Sequence, residues 1–317
     1  KMNNFIVRMP NWIGDIIMAL PVLEDIKTNF PNSHLAVLIK QKHLSLLKNN
    51  SFIDEYLFLE DKKKLIKNLK KFETGVLLTN SFSSALLFYR ARIKKIIGYS
   101  KDLRNFFLTE SIKYKNEKIH QIDKYKKLLN FLNISNSQSL PILKLKNEDI
   151  NEAKNLLLNS GYDYKNKLIG INCTAAFGDA KCWPKERYKE LITKFLEQNY
   201  KVIFFSEKKD DFFSDLSILN FQGNTNLSQL IHLINECSLF ISNDSGPMHI
   251  ASSLKRPLIA IFGSTCDIRT GPYNGYVIKK NVSCSPCFKR KCPIDFRCMK
   301  NISVKEVFEK SVEILNV

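Results

Sequence analysis

The strongest constraint in this chain is a rhythm that runs twice. Short apolar segments of strand character alternate with longer helical segments, and the series pauses once in the middle. In the first series, residues 4–8, 34–40, 55–59, 75–79 and 94–99 read as strands. Helices are expected from Gly14 or Asp15 onward and over 41–48, 62–71, 83–89 and 121–132. Pro21 should kink the first of these or restart it. Residues 103–110 read as a loop or lid. An Asn- and Ser-rich stretch around Pro141, residues 133–146, reads as the way into a connection, followed by a helix over 147–160. The second series places strands at 168–172, 201–205, 239–242 and 257–262, with helices at 185–198, 226–236, 247–254 and 303–315. Asn226 and Gln229 have the spacing of a capping box. Strands that are apolar on both faces and alternate with helices belong to parallel sheets covered on two sides. The expected fold class is therefore α/β, with two Rossmann-like domains facing across a cleft, residues 1–165 and 166–317. Ligands should bind beyond the carboxyl ends of the strands.

Composition narrows the function classes. At 317 residues the chain is long enough for two cores. Its longest apolar runs, at 16–20, 85–89 and 258–262, are far too short to span a bilayer. Asp15 breaks the apolar stretch near the N-terminus, so no signal peptide is read and a cytoplasmic protein is expected. Lys1 ahead of Met2 reads as an added residue. The formal charge is +18, and residues 1–165 hold 28 Lys or Arg against 16 Asp or Glu. That balance suits anionic partners such as a phosphorylated glycolipid, nucleic acid or an anionic membrane face, and it equally describes a lysine-solvated surface. With no export signal, the eight cysteines are expected to be reduced.

Four segments carry the chemistry. In Pro10-Asn11-Trp12-Ile13-Gly14-Asp15, Gly14 permits a tight turn after a strand and Asp15 falls at a helix start. That carboxylate either takes a proton from an acceptor hydroxyl or caps the helix. In Ser242-Asn243-Asp244-Ser245-Gly246-Pro247-Met248-His249, a strand ends and a helix starts. Ser245, Gly246 and the first amides are placed to hold a phosphate. Asp244 and His249 either line the same site or, for His249, fill the core. In Gly178-Asp179-Ala180-Lys181-Cys182-Trp183-Pro184, Lys181 can neutralise the charge on a departing diphosphate, with Trp183 and Pro184 fixing the loop. Cys284, Cys287, Cys292 and Cys298 form a late cluster flanked by Lys289, Arg290, Lys291 and Arg297. They could bind zinc or an iron–sulfur centre, but the spacing departs from paired Cys-x2-Cys, and a reduced Cys-rich loop is the plainer reading. No Asp-x-Asp follows a strand, and neither a dinucleotide nor a Walker fingerprint occurs.

Taken together, these residues resemble glycosyltransferase family 9, the lipopolysaccharide heptosyltransferases, nearer its heptosyltransferase II branch than the branch that adds the first heptose. The resemblance runs almost end to end. It rests on Asn11 to Asp15 with Met18-Ala19-Leu20-Pro21, on Gly178 to Pro184, on Asn243 to Gly246 with Met248 to Ala251, on Arg256-Pro257-Leu258 with Phe262-Gly263, and on the tail ending in Cys298-Met299. Cys173-Thr174-Ala175 departs from the family's frequent Pro-Gly-Ala, Ser206 from its glycine, and Cys182 from its arginine.

The resemblance implies a GT-B fold and an inverting transfer with no required cofactor and no metal. The first domain would receive a phosphorylated inner-core lipid A acceptor, and the second would bind ADP-heptose. Asp15 would be the base and Lys181 the stabiliser of departing ADP. Gly178, Asp244, Ser245, Gly246 and His249 would form the donor site. The protein would act as a monomer, peripheral at the inner face of the cytoplasmic membrane, without nucleic acid. Rival readings are a family member with another core acceptor or sugar, a noncatalytic relative, a nucleotide-sugar epimerase and a basic nucleic-acid-binding protein. The epimerase would need a dinucleotide fingerprint. The nucleic-acid binder would need a continuous basic groove, whereas the lysines here are spread over several helices.

Overall fold

The computed structural model describes residues 4–316, so Lys1 and its reading lie outside the described residues. The chain forms two compact units, Lys1–Leu143 and Lys144–Val317.

The first unit is built on β1 (Asn4–Arg8), β2 (His34–Ile39), β3 (Glu55–Phe58), β4 (Thr74–Leu77), β5 (Lys95–Ser100) and β6 (Glu110–Lys113). All neighbours pair in parallel, in the order β3-β2-β1-β4-β5-β6. Its helices are α1 (Ile13–Asn29), α2 (Lys62–Leu69), α3 (Phe82–Arg90) and α4 (Gln121–Lys127). Ile6, Leu38, Leu77, Ala85 and Phe88 belong to one buried cluster on a sheet face. Each buried aliphatic or aromatic side chain there contributes about 1.5–3 kcal/mol of transfer free energy.

The second unit repeats the plan. Helix α5 (Asn147–Asn159) leads into β7 (Leu168–Asn172), α6 (Lys185–Glu197), β8 (Lys201–Phe205), β9 (Leu219–Asn220), α7 (Leu227–Asn235) and β10 (Leu239–Asn243). Then come α8 (Gly246–Ser253), β11 (Leu258–Phe262), α9 (Asp267–Thr270), β12 (Tyr276–Lys279), α10 (Arg297–Lys300) and α11 (Val304–Leu315). The parallel order β12-β11-β10-β7-β8-β9 again reverses beside the unit's first strand. The capping box at the head of α7 is present, with Asn226 and Gln229 each accepting the other's backbone N–H.

Several expectations change. Pro21 does not restart α1, which is one helix of 17 residues that carries the proline inside it. The run from Ile16 to Leu23 is buried along it, and that burial offsets the roughly 3 kcal/mol an interior proline costs. Residues 103–110 are no open loop: a 3-10 helix, Asp102–Phe107, leads into β6. The helix expected over 121–132 ends as α-helix at Lys127 and continues as the 3-10 turn Leu128–Leu132. Another 3-10 turn, Gln41–Leu46, replaces the helix at 41–48. The division between units falls at 143/144 instead of 165/166. The cause is α5: buried His232 of α7 meets its Asp149 at 3.2 Å and Glu152 at 3.0 Å, which ties that helix to the second unit. No helix among the described residues is long and apolar enough to cross a membrane.

Candidate active site

Strand order explains where the site forms in the second unit. β7 and β10 are adjacent and parallel, with Asn172 opposite Ser242, so the loops after them leave the sheet side by side. This is the reversal point where doubly wound sheets bind ligands.

Buried amides lock the two loops together. Asn172 Nδ2 donates to Thr174 O at 2.8 Å, Ser242 Oγ at 3.2 Å and Ser245 Oγ at 3.3 Å. Fully buried Asn243 accepts from Trp183 N at 2.9 Å and Tyr188 OH at 2.8 Å, and donates to Cys173 O at 2.8 Å. Trp183 itself is in the core, edge-on to Tyr188, with its indole N–H on Ile302 O at 3.1 Å. The loop that bears Lys181 is thus anchored at its far end by an aromatic side chain.

On this base Lys181 Nζ lies 2.6 Å from Asp244 Oδ2, which also accepts the Thr265 hydroxyl at 2.7 Å. Lys181 sits 4.9 Å from the centre of the Phe177 ring, and the Arg290 guanidinium lies 5.5 Å from the same ring. Two cations therefore stand on one ring, with one carboxylate holding Lys181, and a diphosphate placed there would meet both. Gly178 has φ +146, and a Cβ there would fall 2.5 Å from Arg290 O. That carbonyl accepts the Ala180 N–H at 3.1 Å. Burial pushes the neighbouring thiols up, Cys173 to about 12 and Cys182 to about 11, so both stay protonated and unreactive.

Ser245 caps α8, accepting Met248 N at 3.4 Å, and its hydroxyl shares a 2.8 Å hydrogen bond with Ser242. It shapes the helix start and is committed to that network. Gly246 occupies the first helical position with Pro247 next, and the half-buried helix N-terminus carries partial positive charge. His249 is buried on the same helix, at 5% exposure. Gly178, Lys181, Asp244, Ser245 and Gly246 are thus gathered at one strand end, with His249 in the core behind them.

The late cysteine segment packs on this site. Phe288 N donates to Ser264 O at 2.8 Å, and Ser285 Oγ to Gly263 O at 2.5 Å. With the Arg290 contact, the segment spans the loops after β7 and β11. Cys298 is buried at the head of α10, whereas Cys284, Cys287 and Cys292 are half-buried in the loop. Among the described residues no group of three or more His, Cys, Asp or Glu is arranged to hold a metal ion, and the four cysteines are free thiols; burial pushes Cys298 up, and Cys284, Cys292 and Cys287 stand near enough to add to it. Sequence reading missed Asn172, Phe177 and Thr265 as parts of this site, quoted Asn243 in its motif without a role, and read Arg290 only as a cation flanking the cysteines. The signal for the two asparagines was present: each is the polar residue that ends a largely apolar strand.

In the first unit, Trp12 is the N-cap of α1 and makes no side-chain cap, and Asp15 lies in the first turn, half-buried. Asp15 is therefore not the N-cap residue, though the helix start favours its negative charge. The preceding loop is fixed from beneath. Buried Arg8 donates to Asn11 Oδ1 at 2.8 Å and to Met9 O, and burial pulls its guanidinium down to about 10. His43 Nε2 meets Asn11 O at 3.0 Å. Buried Tyr125 of α4 stands near enough for the Asp15 charge to raise its phenol, after the larger effect of burial.

Comparison with known proteins gives consistent matches. The family model described as glycosyltransferase family 9 (heptosyltransferase) matches residues 62–296. Lipooligosaccharide heptosyltransferase 2 of Campylobacter jejuni is 28% identical over 98% of this chain and 97% of its own length. Among solved structures, the E. coli ADP-heptose lps heptosyltransferase II superposes with a TM-score of 0.85 at 23% identity, over 99% of this chain and 98% of its own. A glycosyltransferase family 9 protein from Veillonella parvula superposes with a TM-score of 0.84 at 23% identity, covering 99% of this chain and 97% of its own. The fold is GT-B, as the resemblance implies, and its two parallel-sheet domains with flanking helices are those the doubled rhythm predicts.

Proposed function

The chain belongs to glycosyltransferase family 9, and on that premise we propose that it transfers L-glycero-D-manno-heptose from ADP-heptose to the heptosyl-Kdo2-lipid A inner core of lipopolysaccharide. The observation that carries the donor assignment is the cationic strand end of the second unit. There Lys181 is aimed by Asp244, Arg290 shares its aromatic ring, and the α8 N-terminus stands beside them. The names of the relatives from C. jejuni and E. coli support a heptose and an ADP leaving group.

In the proposed step the acceptor hydroxyl oxygen attacks the anomeric carbon while the carbon–oxygen bond to the diphosphate breaks. The hydroxyl proton passes to the Asp15 carboxylate, and ADP leaves with the bonding pair. Lys181 and the helix terminus meet the charge that grows on the diphosphate. The configuration inverts because there is one displacement. The reaction takes place at the cytoplasmic face of the inner membrane, where the chain binds peripherally as a monomer. No cofactor is needed beyond the donor.

The test is incubation of the purified chain with ADP-L-glycero-β-D-manno-heptose and heptosyl-Kdo2-lipid A, followed by mass spectrometry. A mass gain of one heptose with release of ADP is expected. ADP-heptose binding without transfer to this acceptor, but with transfer to another core lipid, would move the assignment to a different acceptor. Absence of ADP-heptose binding would defeat the donor assignment itself.

A further inference from the structure

The 3-10 helix Asp102–Phe107 is the crossover that leaves the carboxyl end of β5, the sheet edge that also carries the turn to Asp15, and returns to the start of parallel β6. Residues three apart eclipse in such a helix, so it has two faces. One points inward. Arg104 is fully buried over Gly98, where an added Cβ would lie 2.7 Å from its Nη2, and it donates to Thr79 O at 2.6 Å. Phe107 packs against the core beside Leu108. The other face is Leu103 and Phe106, exposed at 70% and 81%. A soluble surface has no use for this inversion, in which the arginine is inside and the leucine and phenylalanine are outside.

The neighbouring helix adds exposed aromatic rings over the inward-facing Phe107. Phe82 and Tyr89 of α3 each lie 5.2 Å from the Phe107 ring and are themselves exposed, at 47% and 57%. Around them the surface is basic. Residues 90–118 hold nine Lys or Arg against three Asp or Glu. Arg90, Arg92, Lys94, Lys101, Lys113 and Lys115 are all exposed. An apolar patch within a cationic surround is the composition of an interfacial membrane anchor, with side chains entering the acyl boundary and cations meeting anionic headgroups.

We propose that Leu103 and Phe106, with Phe82 and Tyr89 of the adjoining α3, dock the first unit on an anionic lipid bilayer. The proposal deepens the reading of a lipid-linked acceptor, since the crossover that carries the patch starts from the sheet edge that also carries the turn to Asp15.

The test uses the whole chain and two kinds of vesicle, pure phosphatidylcholine and phosphatidylcholine with a quarter phosphatidylglycerol. Cosedimentation is expected with the anionic vesicles, reduced by raising the salt, and near background with the neutral ones. The double variant L103S/F106S should partition about tenfold more weakly, because two inserted side chains are lost. Both positions are exposed, and its melting temperature checks that it is folded. As an independent probe, the F106W emission should move to shorter wavelength on anionic vesicles alone. Equal sedimentation of the wild-type and double-variant chains, no vesicle binding by the wild-type chain, or an F106W emission unchanged by vesicles would each overturn the proposal.

A further arm separates this from the functional reading. On a deacylated, soluble acceptor L103S/F106S should turn over like the wild-type chain. If neither turns over while wild-type vesicle binding persists, the transfer reading fails and the docking surface stands.

Discussion

Lys181 and Asp244 form a 2.6 Å ion pair across 63 residues of sequence, and the pair joins the loop after β7 to the loop after β10. Both partners are largely withdrawn from water, at 15% and 5% side-chain exposure, so the pair fixes where the ammonium points. One of its three protons is spent on Asp244, and the others are available to a diphosphate. Lys181→Met should therefore lower kcat about 100- to 1000-fold, the range for losing a preorganised charge stabiliser. Asp244→Asn keeps the cation but loosens its aim, and a smaller loss of about tenfold is expected. The double variant should be little worse than K181M, because the carboxylate acts through the lysine. Steady-state kinetics with ADP-heptose on the four proteins check this. Additive losses would show that Asp244 has a separate role.

Gly178 makes a second prediction. Its φ of +146 is strained for any residue with a side chain, and the added methyl would meet the Arg290 carbonyl at 2.5 Å. The neighbour is backbone, so relief requires moving the cysteine-rich segment and breaking the Ala180 to Arg290 hydrogen bond. Gly178→Ala should cost about 1–3 kcal/mol of stability. It should also weaken ADP binding, since Arg290 and Lys181 share the Phe177 ring beside it. Thermal melting and calorimetric ADP titration report the two effects separately, and a variant unchanged in both would refute this account of the loop.

These contacts also show what a one-dimensional reading reaches. The central strands β1, β7, β10 and β11 were legible because they are buried on both faces and so read as unbroken apolar runs. Of the edge strands, β3 was legible at 55–59, whereas β6, β9 and β12 were not. β6 is Glu-Ser-Ile-Lys and β9 is only two residues long, and both exist because a neighbour offers hydrogen bonds. The site followed the same division. Lys181 and Asp244 were recognisable as polar groups at strand ends, and their partnership was not, because it depends on β7 lying next to β10. Arg290 was read as a cation flanking cysteines, and only the folded chain brings its carbonyl to Gly178.

Asp15 should be separable from the donor site. Asp15→Asn keeps size and position in the first turn of α1 while removing the proton acceptor. Transfer is expected to fall by about 100- to 10,000-fold, the span for losing a general base. ADP affinity should be unchanged, because the groups assigned to ADP belong to the second unit. A quench-flow or mass assay of turnover, paired with ADP titration, measures both. Turnover within a few fold of the wild-type chain would remove Asp15 from the base role.

The loop that leads to Asp15 should respond to pH through His43. This imidazole is 6% exposed, and its Nε2 meets Asn11 O at 3.0 Å while its buried Nδ1 has no hydrogen-bond partner among the described residues. Burial holds its pKa below the ordinary 6.5, with Lys42 and Lys40 adding to the effect and the Asn11 carbonyl and Glu60 opposing it. The neutral ring, with its proton on Nε2, is therefore the form the fold prefers. Below pH 6.5 the unfolded chain takes up the proton more readily than the folded one, so stability contributed by His43 is full above that pH. It is lost progressively as pH falls toward the lower folded value. His43→Gln retains an N–H for Asn11 and does not titrate. The melting temperature of the wild-type chain relative to H43Q should therefore drop between about pH 7 and pH 5, the interval that brackets an imidazole with a depressed pKa. A difference that stays constant across that interval would show that the His43 proton is not linked to folding.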